Sequence, residues 1–285
     1  MIKIKVPATS ANLGSGFDAL GLAIDKYNTF TFSNGIGSTE VGSLVHLAYN
    51  KVFEWLKRDP EPVGIEIQAD IPMARGLGSS ASCIVGGVMG ANEVLGCPLS
   101  KEELLKIATE LEGHPDNIAP ALYGGMVVSV MQDGEVYFVK VPVKNEYNYT
   151  VLVPDFHLST EKARAALPKV IPYTDGVFNV GRATLLLAAM TIGQDELIKI
   201  GLEDKLHQQY RGDLIPGFSH ITEKMDEFGV LGCYLSGAGP SIMCMMKKED
   251  RETEHKITQF MLEKYPNWKI YHQSLEHVGA LRIDN

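Results

Sequence analysis

The chain has no G-x-x-x-x-G-K-[ST] segment, and no lysine follows Gly78, so a Walker-type nucleotide loop is unsupported. A G-x-G-x-x-G after a strand is also missing. Gly35-Ile36-Gly37 lacks the third glycine and reads as a loop between a strand and a helix. Cysteine is scarce, four in 285 residues, and Cys83, Cys97, Cys233 and Cys244 contain no C-x-x-C pair. They sit in apolar segments and read as buried, reduced thiols, while His114 has no second His or Cys at zinc-ligand spacing. Basic residues are outnumbered 26 to 35, and with a net charge of −9 and no basic run the chain does not read as a nucleic-acid or membrane-surface binder. No apolar run approaches the roughly 18 residues that span a bilayer. Met1-Ile2-Lys3-Ile4-Lys5-Val6 alternates like a strand and is no signal peptide, so the expected location is the cytoplasm. An anionic ligand would have to be held by local donors and a metal, because overall charge repels it.

What is present is enough for a sizeable core: 45% hydrophobic and 21% charged residues, an ordinary globular balance. Periodicity predicts strands at 2–6, 27–33 and 63–69, with a helix at about 42–58 before the third and another at 80–95. Ser100-Lys101-Glu102-Glu103 is a capping box opening an amphipathic helix that Gly113 ends. A short helix after 114–117 leads to a hairpin, Met126–Met131 and Val136–Val141, turning at Asp133-Gly134. A strand over Tyr149–Val153 follows, and the second half is richer in helices: about 161–166, 176–192, 194–201, 217–227 and 251–264. Strands are expected at Val230–Ser236, Ile242–Met246 and 268–274. The expected division is a nucleotide-binding domain over 1–150 and a second domain over 151–285.

Four segments carry chemistry. Pro72-Met73-Ala74-Arg75-Gly76-Leu77-Gly78-Ser79-Ser80-Ala81-Ser82 is a glycine loop opening into a buried helix. Unpaired N–H donors and the positive helix end suit a phosphate, glycines let backbone close on it, and the serines can cap the helix or ligate Mg²⁺. A plain serine-capped helix fits those residues equally well. Pro7 to Gly21 reads as a long loop of small residues around Asn12 and Asp18, either a ligand seat or an Asx-turn network closed on itself. Glu110 and Glu112 lie in the last turn of a helix, where acids oppose the negative helix end. Glu110 reads as a solvated acid, and Glu112, next to Gly113-His114-Pro115-Asp116-Asn117, as a metal ligand. Ser236-Gly237-Ala238-Gly239-Pro240-Ser241 is a glycine turn between apolar strands, fit to close over a ligand or to be only a tight hairpin. Arg164 and Arg211 could grip a carboxylate bidentately, though most arginines are simply solvated.

Taken in order, Pro7–Gly21, Pro72-x-x-x-Gly76-Leu77-Gly78-Ser79-Ser80-Ala81 and Ser236–Ser241 resemble the three motifs of the GHMP superfamily of small-molecule kinases, across nearly the whole chain. Pro7-Ala8-Thr9-Ser10-Ala11-Asn12-Leu13-Gly14-Ser15-Gly16-Phe17-Asp18, His114-x-Asp116-Asn117-Ile118-Ala119-Pro120, Ser159-Thr160-x-x-x-Arg164 and Tyr210-Arg211 resemble the homoserine-kinase branch. One departure is the compact Glu112-Gly113-His114 joint, where many relatives carry a longer insert. The resemblance implies an α+β, two-domain fold: an N-terminal domain like ribosomal protein S5 and a C-terminal ferredoxin-like domain. It implies ATP-dependent phosphorylation of the side-chain hydroxyl of L-homoserine, as a step of threonine synthesis. The alternatives are another kinase of the superfamily, acting on threonine, mevalonate or a sugar, and a catalytically silent binding protein of the same fold. By the resemblance, Pro72, Arg75, Gly76, Leu77, Gly78, Ser79, Ser80, Ala81 and Ser82 wrap the triphosphate, with Ser80 and Glu112 on Mg²⁺. Asp116 and Asn117 are the catalytic pair, Asp116 as base or both as holders of the acceptor oxygen. Asn12, Asp18, His114, Thr160, Arg164, Arg211, Gly237 and Gly239 receive the amino acid. A homodimer is compatible with the resemblance.

Overall fold

The structure, a computed structural model, describes residues 1–34, 40 and 42–283; the loop expected at Gly35-Ile36-Gly37 lies outside the described residues. The elements run β1 (Ile2–Ala11), β2 (Leu20–Ser33), α1 (Leu44–Trp55), β3 (Gly64–Ala69), α2 (Ser79–Val94), α3 (Lys101–Glu112), α4 (Pro115–Tyr123), β4 (Met126–Gln132), β5 (Glu135–Val141) and β6 (Tyr147–Val153). They continue with α5 (Thr160–Ala165), α6 (Tyr173–Ile192), α7 (Ile198–Gly201), α8 (Gln208–Gly212), α9 (Phe218–Phe228), β7 (Gly232–Leu235), β8 (Ile242–Lys247), α10 (Arg251–Lys264), β9 (Lys269–Ser274) and β10 (Leu281–Ile283).

Two sheets organise the chain. The first has the order β10-β1-β2-β4-β5, with β3 also on β2, and the second β7-β8-β6-β9. Numbered within its own half, the second sheet reads 2-3-1-4 with every pair antiparallel and α10 crossing between its last two strands, which is the ferredoxin-like order. The boundary expected near 150 falls inside β6, and β10 carries the last described residues back to β1, pairing Lys3 with Ile283.

The expected loop over 7–21 is mostly strand. After a register shift at Pro7/Ala8, Ala8 to Ala11 pair with Ile24 to Gly21, leaving only residues 12–19 as the connection. Side chains as small as Ala8, Thr9, Ser10 and Ala11 can be buried on both faces of a sheet, and these four are. Their lack of bulk had imitated a loop.

The first core packs Ile4, Phe30 and Phe32 against Tyr49, Val52 and Phe53 of α1 and Ile84, Val85 and Val88 of α2. A Cβ on Gly87 would come within 2.5 Å of the Val45 carbonyl, and one on Gly90 within 2.1 Å of the Phe32 ring, so the glycines of α2 set how closely it lies on sheet and neighbour. The two sheets share a second core, in which Leu20, Leu22 and Met126 meet Tyr149, Val151, Met243 and Met245 over Leu186, Ala189 and Met190 of α6. Leu152, Ile242, Cys244 and Met246 on the far face of the second sheet cover α9 and α10 through Ile221, Met225, Ile257 and Met261. All four cysteines are free, but only Cys244 is buried and Cys97 is exposed, contrary to the expectation for the set. Cys97 follows α2 in a left-handed turn (φ 61°) that turns its side chain out of the apolar segment. No helix among the described residues is long and apolar enough to cross a membrane.

Candidate active site

The glycine loop ends β3's connection and opens α2 at Gly78, which is left-handed (φ 66°). Of the two readings of this segment, the plain serine-capped helix does not form: no side chain caps it. Ser79 and Ser80 stand inside the first turn, where their own hydroxyls cannot reach back, and Ser80 instead donates to Glu112 Oε2 at 2.8 Å. The first-turn N–H groups thus keep their donors for a ligand, together with the positive end of the helix.

The loop is seated on the second half of the chain. Gly76 has φ 73°, and a Cβ there would meet the Ser236 carbonyl oxygen at 2.2 Å. Ser236 Oγ donates to the Gly76 carbonyl at 2.6 Å, and Ser241 N–H to the Arg75 carbonyl at 3.3 Å. Arg75 donates through Nε to the Pro154 carbonyl (2.8 Å) and through Nη2 to that of Asp155 (2.7 Å). Its guanidinium ties the loop to the end of β6.

These contacts wall a cleft of about 280 Å³ whose lining unites residues far apart in sequence. Asn12, Asp18, Arg75, Gly76, Leu77, Gly78, Ser79, Ser80, Glu112, His114, Asp116, Asn117, Thr160, Arg164, Arg211, Gly237 and Gly239 all line it. Pro72, Ala81 and Ser82 are absent from the lining. Ser82 is fully buried, donates to the Ser79 carbonyl and accepts from Asn28 Nδ2, so it braces the helix start from behind. Leu158 and Ala74 also line the cleft and were missed; an apolar and a small side chain leave no chemical signal in a sequence.

Polar groups divide the cleft by charge. On one wall Pro115 starts α4, a good first helical residue since it lacks an N–H, and Asp116 in that first turn favours the positive helix end. Asp116 is 3% exposed. His114 Nδ1 lies 3.2 Å from Asp116 Oδ1, an ion-pair contact without hydrogen-bond alignment. That carboxylate raises His114 above its ordinary 6.5, outweighing burial. Burial pushes the carboxyl of Glu112 up, with the Ser80 hydroxyl and His114 pulling the other way, so a cation beside it would restore the charged form.

Across the cleft, Asp18 and Arg164 form a bidentate pair, Nη1 to Oδ2 at 3.0 Å and Nη2 to Oδ1 at 2.9 Å. Both are more than a third exposed, so the pair is a poor anchor and a good receptor. Arg211 is 1% exposed and donates to carbonyls of Gly237 (3.1 Å) and Ala163 (3.4 Å), with no carboxylate in ion-pair range among the described residues. Burial, then the nearby Arg164 charge, lowers its basicity. A buried cation of this kind gains from an anionic ligand. Phe17, which sequence reasoning passed over as an individual residue, lies under both guanidinium groups at 5.0 Å and 5.9 Å and stacks on His207.

The comparisons with known proteins agree with this layout. Residues 43–125 match the family model "GHMP kinases N terminal domain" and 177–280 match "GHMP kinases C terminal". A homoserine kinase of Clostridium beijerinckii is 45% identical over 295 residues, covering all of this chain and 99% of the relative. The chain belongs to the homoserine kinase family. A second relative, the homoserine kinase of Clostridium botulinum, is 44% identical over 296 residues and 99% of both chains. The crystal structure of homoserine kinase from Cytophaga hutchinsonii superposes with a TM-score of 0.88 at 30% identity, over 99% of this chain and 97% of that one. The two-domain fold expected from the motifs is therefore the GHMP kinase fold.

Proposed function

We propose that this chain transfers the γ-phosphoryl group of ATP to the side-chain hydroxyl of L-homoserine. One observation carries the reading: an uncapped helix start suited to a triphosphate shares a cleft with an exposed acid–arginine pair and a buried, carboxylate-free arginine. Homoserine brings a hydroxyl, an ammonium and a carboxylate on one short frame. Its ammonium meets Asp18, which has lone pairs to spare beyond its bonds to Arg164, and its carboxylate meets Arg211 and Arg164. A neutral sugar would leave that buried cation unanswered.

The hydroxyl oxygen forms a bond to the γ-phosphorus, the bond to the ADP oxygen breaks, and the proton passes to Asp116. Such transfers need in-line positioning and charge neutralisation above all. The first-turn amides of α2 and the arginines supply both in this reading. Ser80 and Glu112 would hold a Mg²⁺, since both offer hard oxygen and the raised carboxyl of Glu112 favours a cation neighbour. When bound, that ion would neutralise phosphate charge.

A coupled assay of ADP release tests the function with homoserine, threonine and mevalonate as acceptors. Release should depend on homoserine; release independent of it, or faster with another acceptor, would overturn the reading. Asp116→Asn should then lower kcat at least about 100-fold while leaving KM for homoserine nearly unchanged. A change confined to KM removes Asp116 as the base.

A further inference from the structure

Thr9 lies on β1, is fully buried and stands behind the cleft wall between its two halves. Its hydroxyl donates to Asn117 Oδ1 at 2.7 Å. On the other side its backbone N–H donates to the Leu77 carbonyl at 3.2 Å, and the Gly78 backbone presses so close that a Cβ there would fall 1.9 Å from Thr9 Oγ1. One residue therefore abuts both the backbone where the nucleotide loop opens into α2 and the amide on the acceptor wall.

An asparagine amide can present either its oxygen or its nitrogen, and its partners on the two sides decide which: the Asp116 carboxylate only accepts, and the Thr9 hydroxyl completes the pattern by donating. With Oδ1 engaged by Thr9, Nδ2 faces Asp116 Oδ1, 3.4 Å away, and lines the cleft beside it. A rotated amide would set its oxygen against the Asp116 carboxylate, acceptor against acceptor, while Thr9 would have to turn its hydroxyl to accept.

We propose that Thr9 is a positioning residue: its hydroxyl sets the amide of Asn117 so that the Nδ2 protons face Asp116 and the acceptor oxygen, and it carries the position of the phosphate loop to that amide. The proposal rests on the homoserine kinase reading and adds to it a residue that touches neither substrate. Because the amide acts on the reacting atoms and not on the bound amino acid's charged ends, the effect belongs in turnover.

Thr9→Val keeps the branched shape and removes the hydroxyl. Expected is a fall in kcat of about tenfold with KM for both substrates within twofold, corresponding to one misplaced hydrogen bond. Thr9→Ser, which restores the hydroxyl without the methyl, should recover turnover to within twofold of wild type. In an Asn117→Ala background Thr9→Val should have no further effect on kcat, since its target is gone. Unchanged kcat in Thr9→Val, a rise in KM for ATP alone, or additive losses in the double variant would each overturn the proposal. If Thr9→Val does not fold by circular dichroism, Thr9→Ser decides: tenfold loss at an unchanged melting temperature refutes the role of the hydroxyl. Failure of the wild type to phosphorylate homoserine would instead sink the functional reading, so the two outcomes are separate.

Discussion

Replacing Arg211 with methionine keeps a flexible stem of similar bulk and deletes the buried charge. The loss to folding is limited. Two bonds to carbonyls, at 3.1 Å and 3.4 Å, disappear at about 1 kcal/mol each, while the cost of holding a cation at 1% exposure without a carboxylate partner is relieved. The melting temperature should shift by less than about 5 °C. The loss to substrate recognition is larger, because a charge-assisted bond to the homoserine carboxylate contributes about 1.5–3 kcal/mol, equivalent to about 10- to 150-fold in kcat/KM. Steady-state kinetics with the coupled assay should show that fall for homoserine and an unchanged KM for ATP. Homoserine amide, which lacks the negative charge, sharpens the test: the parent should prefer the acid, and the variant, with only Arg164 left to meet the carboxylate, should prefer it by a clearly smaller factor. If the variant still prefers the acid by the parental factor, Arg211 is a brace for the Gly237 turn and does not read the carboxylate.

Two further perturbations address the loop and the acceptor wall. Gly78→Ala places a Cβ 1.9 Å from Thr9 Oγ1 at a backbone φ of 66°; the left-handed conformation alone costs about 1 kcal/mol or more, and calorimetry should show ATP binding weakened at least about tenfold, with parental affinity refuting the loop's part. Since Asp116 raises His114 above 6.5, the stability this pair adds is complete below pH 6.5 and is lost as pH rises through the elevated folded value. His114→Asn should therefore flatten the decline in urea-unfolding free energy above pH 6.5, and a variant that keeps the parental slope shows that the decline arises elsewhere.

Much of this was legible in sequence because it was periodic or punctuated. The box at Ser100-Lys101-Glu102-Glu103 formed with both of its hydrogen bonds, and Gly113 ends α3 in a left-handed conformation. The hairpin of β4 and β5 turns at Asp133-Gly134 as read. Small side chains were less informative. Thr9, Ser10 and Ala11 pair in a sheet, yet their composition is that of a loop, because nothing in their size distinguishes burial on two faces from solvation. The terminal strand β10 escaped notice for a related reason: three residues carry too little pattern, and only their pairing with Lys3 to Lys5 defines them. In the site, residue types identified the participants but not their partners. Asp18 and Arg164 were each read against a ligand's charge, and in the structure they hold each other. Arg75 read as a phosphate contact and spends its strongest bonds on the end of β6.

That last difference bears on how the cleft exists at all. The phosphate loop has no lysine, so its anion affinity depends on where a few backbone N–H groups point, and backbone direction in a glycine loop is set by what the loop rests upon. Here it rests on Ser236 and Ser241 through hydrogen bonds and on β6 through Arg75. The turn at 236–241 is in turn pinned from the first half, with Gly237 N–H donating to the Ala11 carbonyl and Asn12 Nδ2 to the Gly237 carbonyl at 2.7 Å. Each half therefore supplies the geometry that the other half's ligand groups require. Charge contributed by lysine could tolerate a loose loop, whereas dipoles aimed at a phosphate lose their advantage with small rotations, and so a kinase built this way needs its two sheets to share a core.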